Sequence, residues 1–249
     1  MAGCATVVQP PSITQPGSGS LSRESAFRAW SQVLASSVDW QGRVDFEHLE
    51  RNPSPLYEYV AYIAKVSPEK NPDKFPTIEE QLAYYINSYN ALAMYGVITH
   101  GLPNNFNRLW DRAKFFKFTR FNIGGRELSL LNYENDVIRP LGDPRIHFAL
   151  NCMVRACPRL PQTPFRAETL DADLDRLTRE FVNDSRHVQV LPAAGLVRLS
   201  EIFRFYKKDF VNPKRASSLI AYINKYRDAP VKKKLKVEFI AYDWTVNYK

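Results

Sequence analysis

Asp143-Pro144-Arg145-Ile146-His147-Phe148-Ala149-Leu150-Asn151-Cys152-Met153-Val154-Arg155-Ala156-Cys157-Pro158 is the stretch around which this 249-residue chain is organised. It carries two of the three cysteines and one of the four histidines. The alternation from Ile146 to Cys152 reads as a buried strand, with His147, Ala149 and Asn151 on one face and Phe148, Leu150 and Cys152 on the other. On such a strand His147 and Cys152 would stand about 16 Å apart, whereas a thiol–imidazole pair needs about 3–4 Å. Cys157 is the better partner, because Met153 to Ala156 can reverse the chain and bring it alongside. Arg155 and Arg159 flank it and favour a thiolate. Cys157 as nucleophile, His147 as base and Asn151, Asn87 or Asn90 as orienter therefore make a thiol-nucleophile constellation, with Cys152 as the alternative sulfur. Arg155, Arg145 and Tyr89 are the residues expected to hold a substrate. A structural disulfide competes with this reading. Cys152 and Cys157 enclose a turn short enough to bring their Cα atoms within the about 4.4–6.8 Å that a bridge requires.

Outward from this stretch, hydrophobic periodicity and capping signals outline the elements. Leu21 to Ala35 reads as a helix capped by Ser22, with Phe27, Trp30, Val33 and Leu34 on one face. Leu56 to Val66 is a second, tyrosine-rich helix. Thr77-Ile78-Glu79-Glu80 is a capping box that launches a long helix from Glu79 to about Thr99, stopped by Gly101-Leu102-Pro103. Asn87 and Asn90 lie one turn apart on that otherwise apolar helix. They are either site residues or buried amides that pin a neighbouring loop. Phe115 to Ile123 is strand-like and turns at Gly124-Gly125 into Arg126-Glu127-Leu128. Ser129 caps a helix from Leu130 to Arg139, and Thr169 to Asp184 is an amphipathic helix. Val188–Leu191 and Leu196–Leu199 are strands, Glu201 to Asp209 and Ala216 to Tyr226 helices, and Leu235 to Tyr242 a closing strand. The expectation is α+β: one mostly helical domain over residues 21–249 with short antiparallel strands. His48, His100 and His187 fall in loop or helix-end contexts and read as surface residues.

The apolar fraction of 45% and aromatic fraction of 13% are enough for a packed core. Net charge is +8, which suits an anionic envelope polymer, a lipid surface or simply a solvated basic exterior. Lys232-Lys233-Lys234 lacks interleaved aromatics, which disfavours nucleic acid. The cysteine and histidine spacing matches no zinc site, and there is no phosphate-cradling glycine loop or Gly-x-Ser-x-Gly elbow, so no metal and no cofactor are expected.

The N-terminus reads as an address. Ala2-Gly3-Cys4, followed by the Pro/Ser/Gly/Gln-rich run to Ser20, resembles a bacterial lipoprotein processing site with Cys4 as the acylated residue. Residues 1–20 would then tether the domain to a lipid bilayer at the periplasmic face of the outer membrane. In that oxidising compartment Cys152 and Cys157 are left as an even pair.

Several stretches together resemble the domain-of-unknown-function 547 family. They are Tyr84-Tyr85-Ile86-Asn87-Ser88-Tyr89-Asn90-Ala91, Gly125-Arg126-Glu127-Leu128-Ser129-Leu130, Asp143 to Cys152, Cys157-Pro158, Leu199-Ser200-Glu201-Ile202-Phe203, Tyr206-Lys207-Lys208-Asp209-Phe210 and Tyr242-Asp243-Trp244. They span about Asp39 to Asn247. The resemblance marks His147, Cys152, Cys157, Asn87 and Asn90 as family-pattern polar residues. A papain- or transglutaminase-like fold is carried with it as an expectation. Two functions follow: a thiol-dependent hydrolase or transferase acting on peptide, amide or isopeptide bonds, or a non-catalytic envelope binding module stapled by a Cys152–Cys157 disulfide.

Overall fold

The structure, a computed structural model, describes residues 5–11 and 22–249. Cys4 lies outside the described residues, as does much of the span 1–20. Within that span, however, Thr6–Val8 forms strand β1. Ser22 accepts the Ser25 N–H and starts α1 (Arg23–Ser37). Asp45 caps α2 (Phe46–Arg51), and Pro53-Ser54-Pro55 opens α3 (Ser54–Lys65). Both halves of the Thr77/Glu80 capping box are present at the start of α4 (Ile78–Thr99). From Leu82 to Ile98 every residue of α4 is buried, so this helix is the central pillar of the main core rather than an amphipathic surface helix.

After α4 the chain forms α5 (Leu109–Arg112), which continues into a wide π-helical turn, Ala113–Phe118. The strand reading from Phe115 therefore holds only from Thr119. Strand β2 (Thr119–Ile123) turns into β3 (Arg126–Ser129) through Gly124 and Gly125, whose φ values of 59° and 91° are open to glycine at no steric cost. Ser129 caps α6 (Leu130–Asn132), which likewise widens into a π turn, Tyr133–Ile138. The second half holds α7 (Leu170–Asn183), β4 (Val188–Leu191), β5 (Leu196–Ser200), α8 (Ile202–Phe205), α9 (Lys207–Phe210), α10 (Leu219–Ile223) and β6 (Lys236–Ile240).

The fold is α+β in one domain. Among the described residues two three-stranded sheets are ordered β1-β2-β3 and β4-β5-β6. The expectation of antiparallel strands holds for β2–β3 and β4–β5, but β1–β2 and β5–β6 are parallel. Those two pairs join strands far apart in sequence, which local turn signals cannot report. A second apolar cluster gathers Phe148, Phe181, Phe203, Phe210 and Tyr222 between α7, α8, α9 and α10.

His187 is buried in this half, not on the surface, with its ring stacked 3.9 Å from that of Phe181. Burial pulls its pKa from 6.5 down to about 4, against the favourable charge of Asp184. The unfolded chain takes up this proton near 6.5 and the folded chain only near 4. The stability held by neutral His187 is therefore complete above about pH 6.5 and falls by about 3 kcal/mol as pH drops through that window. Thermal midpoints at pH 7, 5 and 4 should show the slope, and His187→Phe should flatten it. A variant that keeps the slope would transfer the effect to another group.

Candidate functional site

The stretch holding His147 is not a strand. Asp143 accepts the Arg145 N–H at 2.9 Å, Pro144 supplies a helical φ, and Pro144–Phe148 winds as a 3₁₀ turn. The Ala149 and Leu150 N–H groups both return to the Ile146 carbonyl, at 2.9 and 2.8 Å. Local capping thus overrides the alternating pattern, and the strand separation of His147 from Cys152 does not apply. Both residues line one cavity of about 310 Å³.

His147 is buried and held on three sides. Its Nε2 lies 2.8 Å from Asp209 Oδ2, its Nδ1 3.7 Å from Glu134 Oε1, and its ring stacks on Tyr206 with centroids 3.8 Å apart. Asp209, in α9, also takes a two-pronged contact from Arg139, whose Nε and Nη2 donate at 2.8 and 3.0 Å. Burial alone would raise the Asp209 pKa. The hydrogen bonds from His147 and Arg139 outweigh it and hold the carboxyl well below its usual range. With Asp209 held at Nε2, Nδ1 is the ring nitrogen turned toward Glu134.

Glu134 is buried on the inward stripe Leu130, Glu134, Ile138 and projects from the π turn. The Tyr89 hydroxyl donates to Glu134 Oε2 at 3.5 Å. Burial, reinforced by the charge of Glu134, pushes the Tyr89 and Tyr206 hydroxyls far above their ordinary pKa, so both are neutral donors. Around this polar floor the walls are apolar and aromatic: Phe116, Leu150, Ile202, Phe205, Tyr242 and Trp244. The two π turns deliver Phe116, Lys117 and Glu134 to the cavity, consistent with wide turns being placed where side chains must be re-aimed.

The Cys152 and Cys157 sulfurs are at disulfide distance, with Cα atoms 6.4 Å apart. The turn between them closes as the sequence suggests, through Met153 in the left-handed region at φ 64°. The Tyr242 hydroxyl lies 3.5 Å from Cys152 Sγ and 3.4 Å from Cys157 Sγ. The cavity shared with His147 is lined by Cys152. Cys157 lines a different cavity with Arg155, Arg159 and Arg186. Cys152, and not Cys157, therefore shares the cavity of His147.

All three asparagines serve backbone. Asn87 donates to the Phe165 carbonyl at 2.8 Å and accepts the Phe165 N–H at 3.0 Å and the Trp30 indole N–H at 3.2 Å. Asn90 donates to Ala149 O at 3.0 Å and accepts the Asn151 N–H at 2.7 Å. Asn151 donates to Pro158 O and accepts the Met153 N–H, each at 2.7 Å, which fixes the cysteine turn. None of the three orients His147; Asp209 does. Tyr89 is in the cavity. Arg145 is instead bound to Asp143, Asp171 and Asp175, each at 2.7 Å, and Arg155 is exposed on the Cys157 side.

Glu134, Tyr206, Asp209 and Tyr242 complete the site and carried no role in the sequence reading. A lone glutamate on the stripe Leu130, Glu134, Ile138 was a usable signal. Asp209 stands in the family-like stretch Tyr206-Lys207-Lys208-Asp209-Phe210, but nothing local ties it to His147, 62 residues away. No helix among the described residues is long and apolar enough to cross a membrane. Neither the curated proteins nor the solved structures compared gave a match. Residues 73–182, which carry Tyr89, Glu134, His147, Cys152 and Cys157, match the model of the family described as Protein of unknown function, DUF547.

Proposed function

We propose that the chain is a lipid-anchored bacterial envelope protein that performs thiol-dependent hydrolysis or transfer on a peptide, amide or isopeptide bond, with Cys152 as nucleophile. The observation that carries this reading is that Cys152 and the Asp209-oriented His147 line one cavity while Cys157 opens onto another. Reduction of the sulfur pair by a dithiol, with two electrons and two protons, would free the Cys152 thiol. His147 Nδ1 takes its proton as sulfur attacks the carbonyl carbon. The C–N bond breaks, the amine leaves with that proton, and water or a second amine then releases the thioester. The envelope address rests on Ala2-Gly3-Cys4 and the tether-like composition after it.

Alkylation by iodoacetamide, read by mass spectrometry, tests the roles. In the untreated protein Cys152 and Cys157 should resist labelling. After mild reduction Cys152 should label faster than Cys157, and His147→Gln should slow it about tenfold or more. Equal labelling of both sulfurs, or indifference to His147→Gln, would sink the nucleophile assignment. The sulfur proximity itself favours the second reading, a stapled binding module. That module predicts labelling only after global unfolding.

A further inference from the structure

The cavity opens beneath an unusual rim. Four of the exposed large apolar side chains belong to its lining or to the helical run that supplies part of it: Leu109, 77% exposed, Trp110, 59%, Phe205, 45%, and Leu131, 39%. Leu131 and Phe205 line the cavity itself. Leu109 and Trp110 begin the helical run whose Arg112, Phe116 and Lys117 line it. Trp110 is braced against Phe118, with ring centroids 5.7 Å apart. The same run exposes Arg108, Lys114 and Lys117 against a single carboxylate, Asp111. Arg112 lies 4.6 Å over the Trp244 ring, and its Nε finds no partner among the described residues. Tryptophan and leucine exposed among cations are what an interfacial membrane contact requires: apolar groups to enter the acyl boundary, and charge to meet anionic headgroups.

We propose that the rim of Leu109, Trp110, Leu131 and Phe205, with Lys114 and Lys117, docks on an anionic lipid bilayer and seats the cavity mouth against it. The cavity would then take its amide-bearing substrate from the membrane surface. This last consequence rests on the cavity being the active site; the docking does not.

The test uses the full chain carrying Cys4→Ser, so that no anchor contributes, and sedimentation with vesicles. Vesicles containing phosphatidylglycerol should bind at least tenfold more protein than pure phosphatidylcholine, with binding weakened by salt and Trp emission shifted to the blue. Leu109→Ser with Trp110→Ser, and separately Lys114→Glu with Lys117→Glu, should each lower binding at least tenfold. Equal binding to both vesicle types overturns the proposal, as does unchanged binding by the charge-reversed variant, whose substitutions fall on exposed positions. Cys152→Ser should bind like its parent. Vesicle binding without thiol chemistry would remove only the proposed activity. Thiol chemistry without vesicle binding would remove only the docking face.

Discussion

Asp209→Asn is expected to lower thiol-dependent turnover by about 10³–10⁴-fold, the loss seen when a triad carboxylate is replaced by its amide and the imidazole adopts the wrong tautomer. The reason is specific to this site. Asp209 is the acceptor at His147 Nε2, at 2.8 Å, and its carboxyl is held ionised by Arg139 and His147 together. An amide can offer its NH2 group instead, which would place the proton on Nδ1 and remove the lone pair that serves as base. Two readouts separate this from a general loss of structure. The downfield imidazole proton of His147 should be present in the parent and shifted or lost in the variant, and alkylation of reduced Cys152 should slow. Arg139→Gln keeps the His147–Asp209 contact and should leave the imidazole proton in place. An unchanged resonance in Asp209→Asn would remove Asp209 as orienter.

Asn90→Leu is expected to destabilise the fold by about 3–5 kcal/mol. The side chain is buried on α4 and makes two backbone contacts, to Ala149 O and from Asn151 N–H. Leucine leaves both groups buried without a partner, each unsatisfied group costing about 1–3 kcal/mol. Urea unfolding measures the difference. Asn90→Asp is informative beside it: the carboxylate can still accept from Asn151 but cannot donate to Ala149. A change under about 1 kcal/mol for leucine would mean that water replaces the amide and that the 149–151 segment is not pinned by α4.

Local capping signals held at three helix starts, whereas the helices read over Glu201–Asp209 and Ala216–Tyr226 form only as Ile202–Phe205, Lys207–Phe210 and Leu219–Ile223. Ser22, Thr77 and Ser129 each cap the helix that their position implied, because a side-chain oxygen needs only the next three residues to do so. The same rule explains the main error. Asp143-Pro144 is also a cap, and it wound His147 into a 3₁₀ turn where alternation suggested a strand. The preference for Cys157 over Cys152 rests on the same strand geometry, which does not form. What could not be read were partners supplied from a distance: Asp209 to His147, the parallel pairing of β1 with β2, and the burial of His187 under Phe181. The Asn87 and Asn90 amides were legible as buried polar groups, but not their acceptors 78 and 59 residues away.

The cysteine pair stands in a wall. Cys152 faces the apolar His147 cavity, Cys157 faces an arginine-lined one, and Tyr242 borders both. Under the proposed thiol chemistry the two sulfurs would be addressable by different reagents. An anionic thiol drawn to the Cys157 side would, on attacking that sulfur, expel Cys152 as the thiolate into the opposite cavity, so that reducing equivalents and substrate would approach from separate sides.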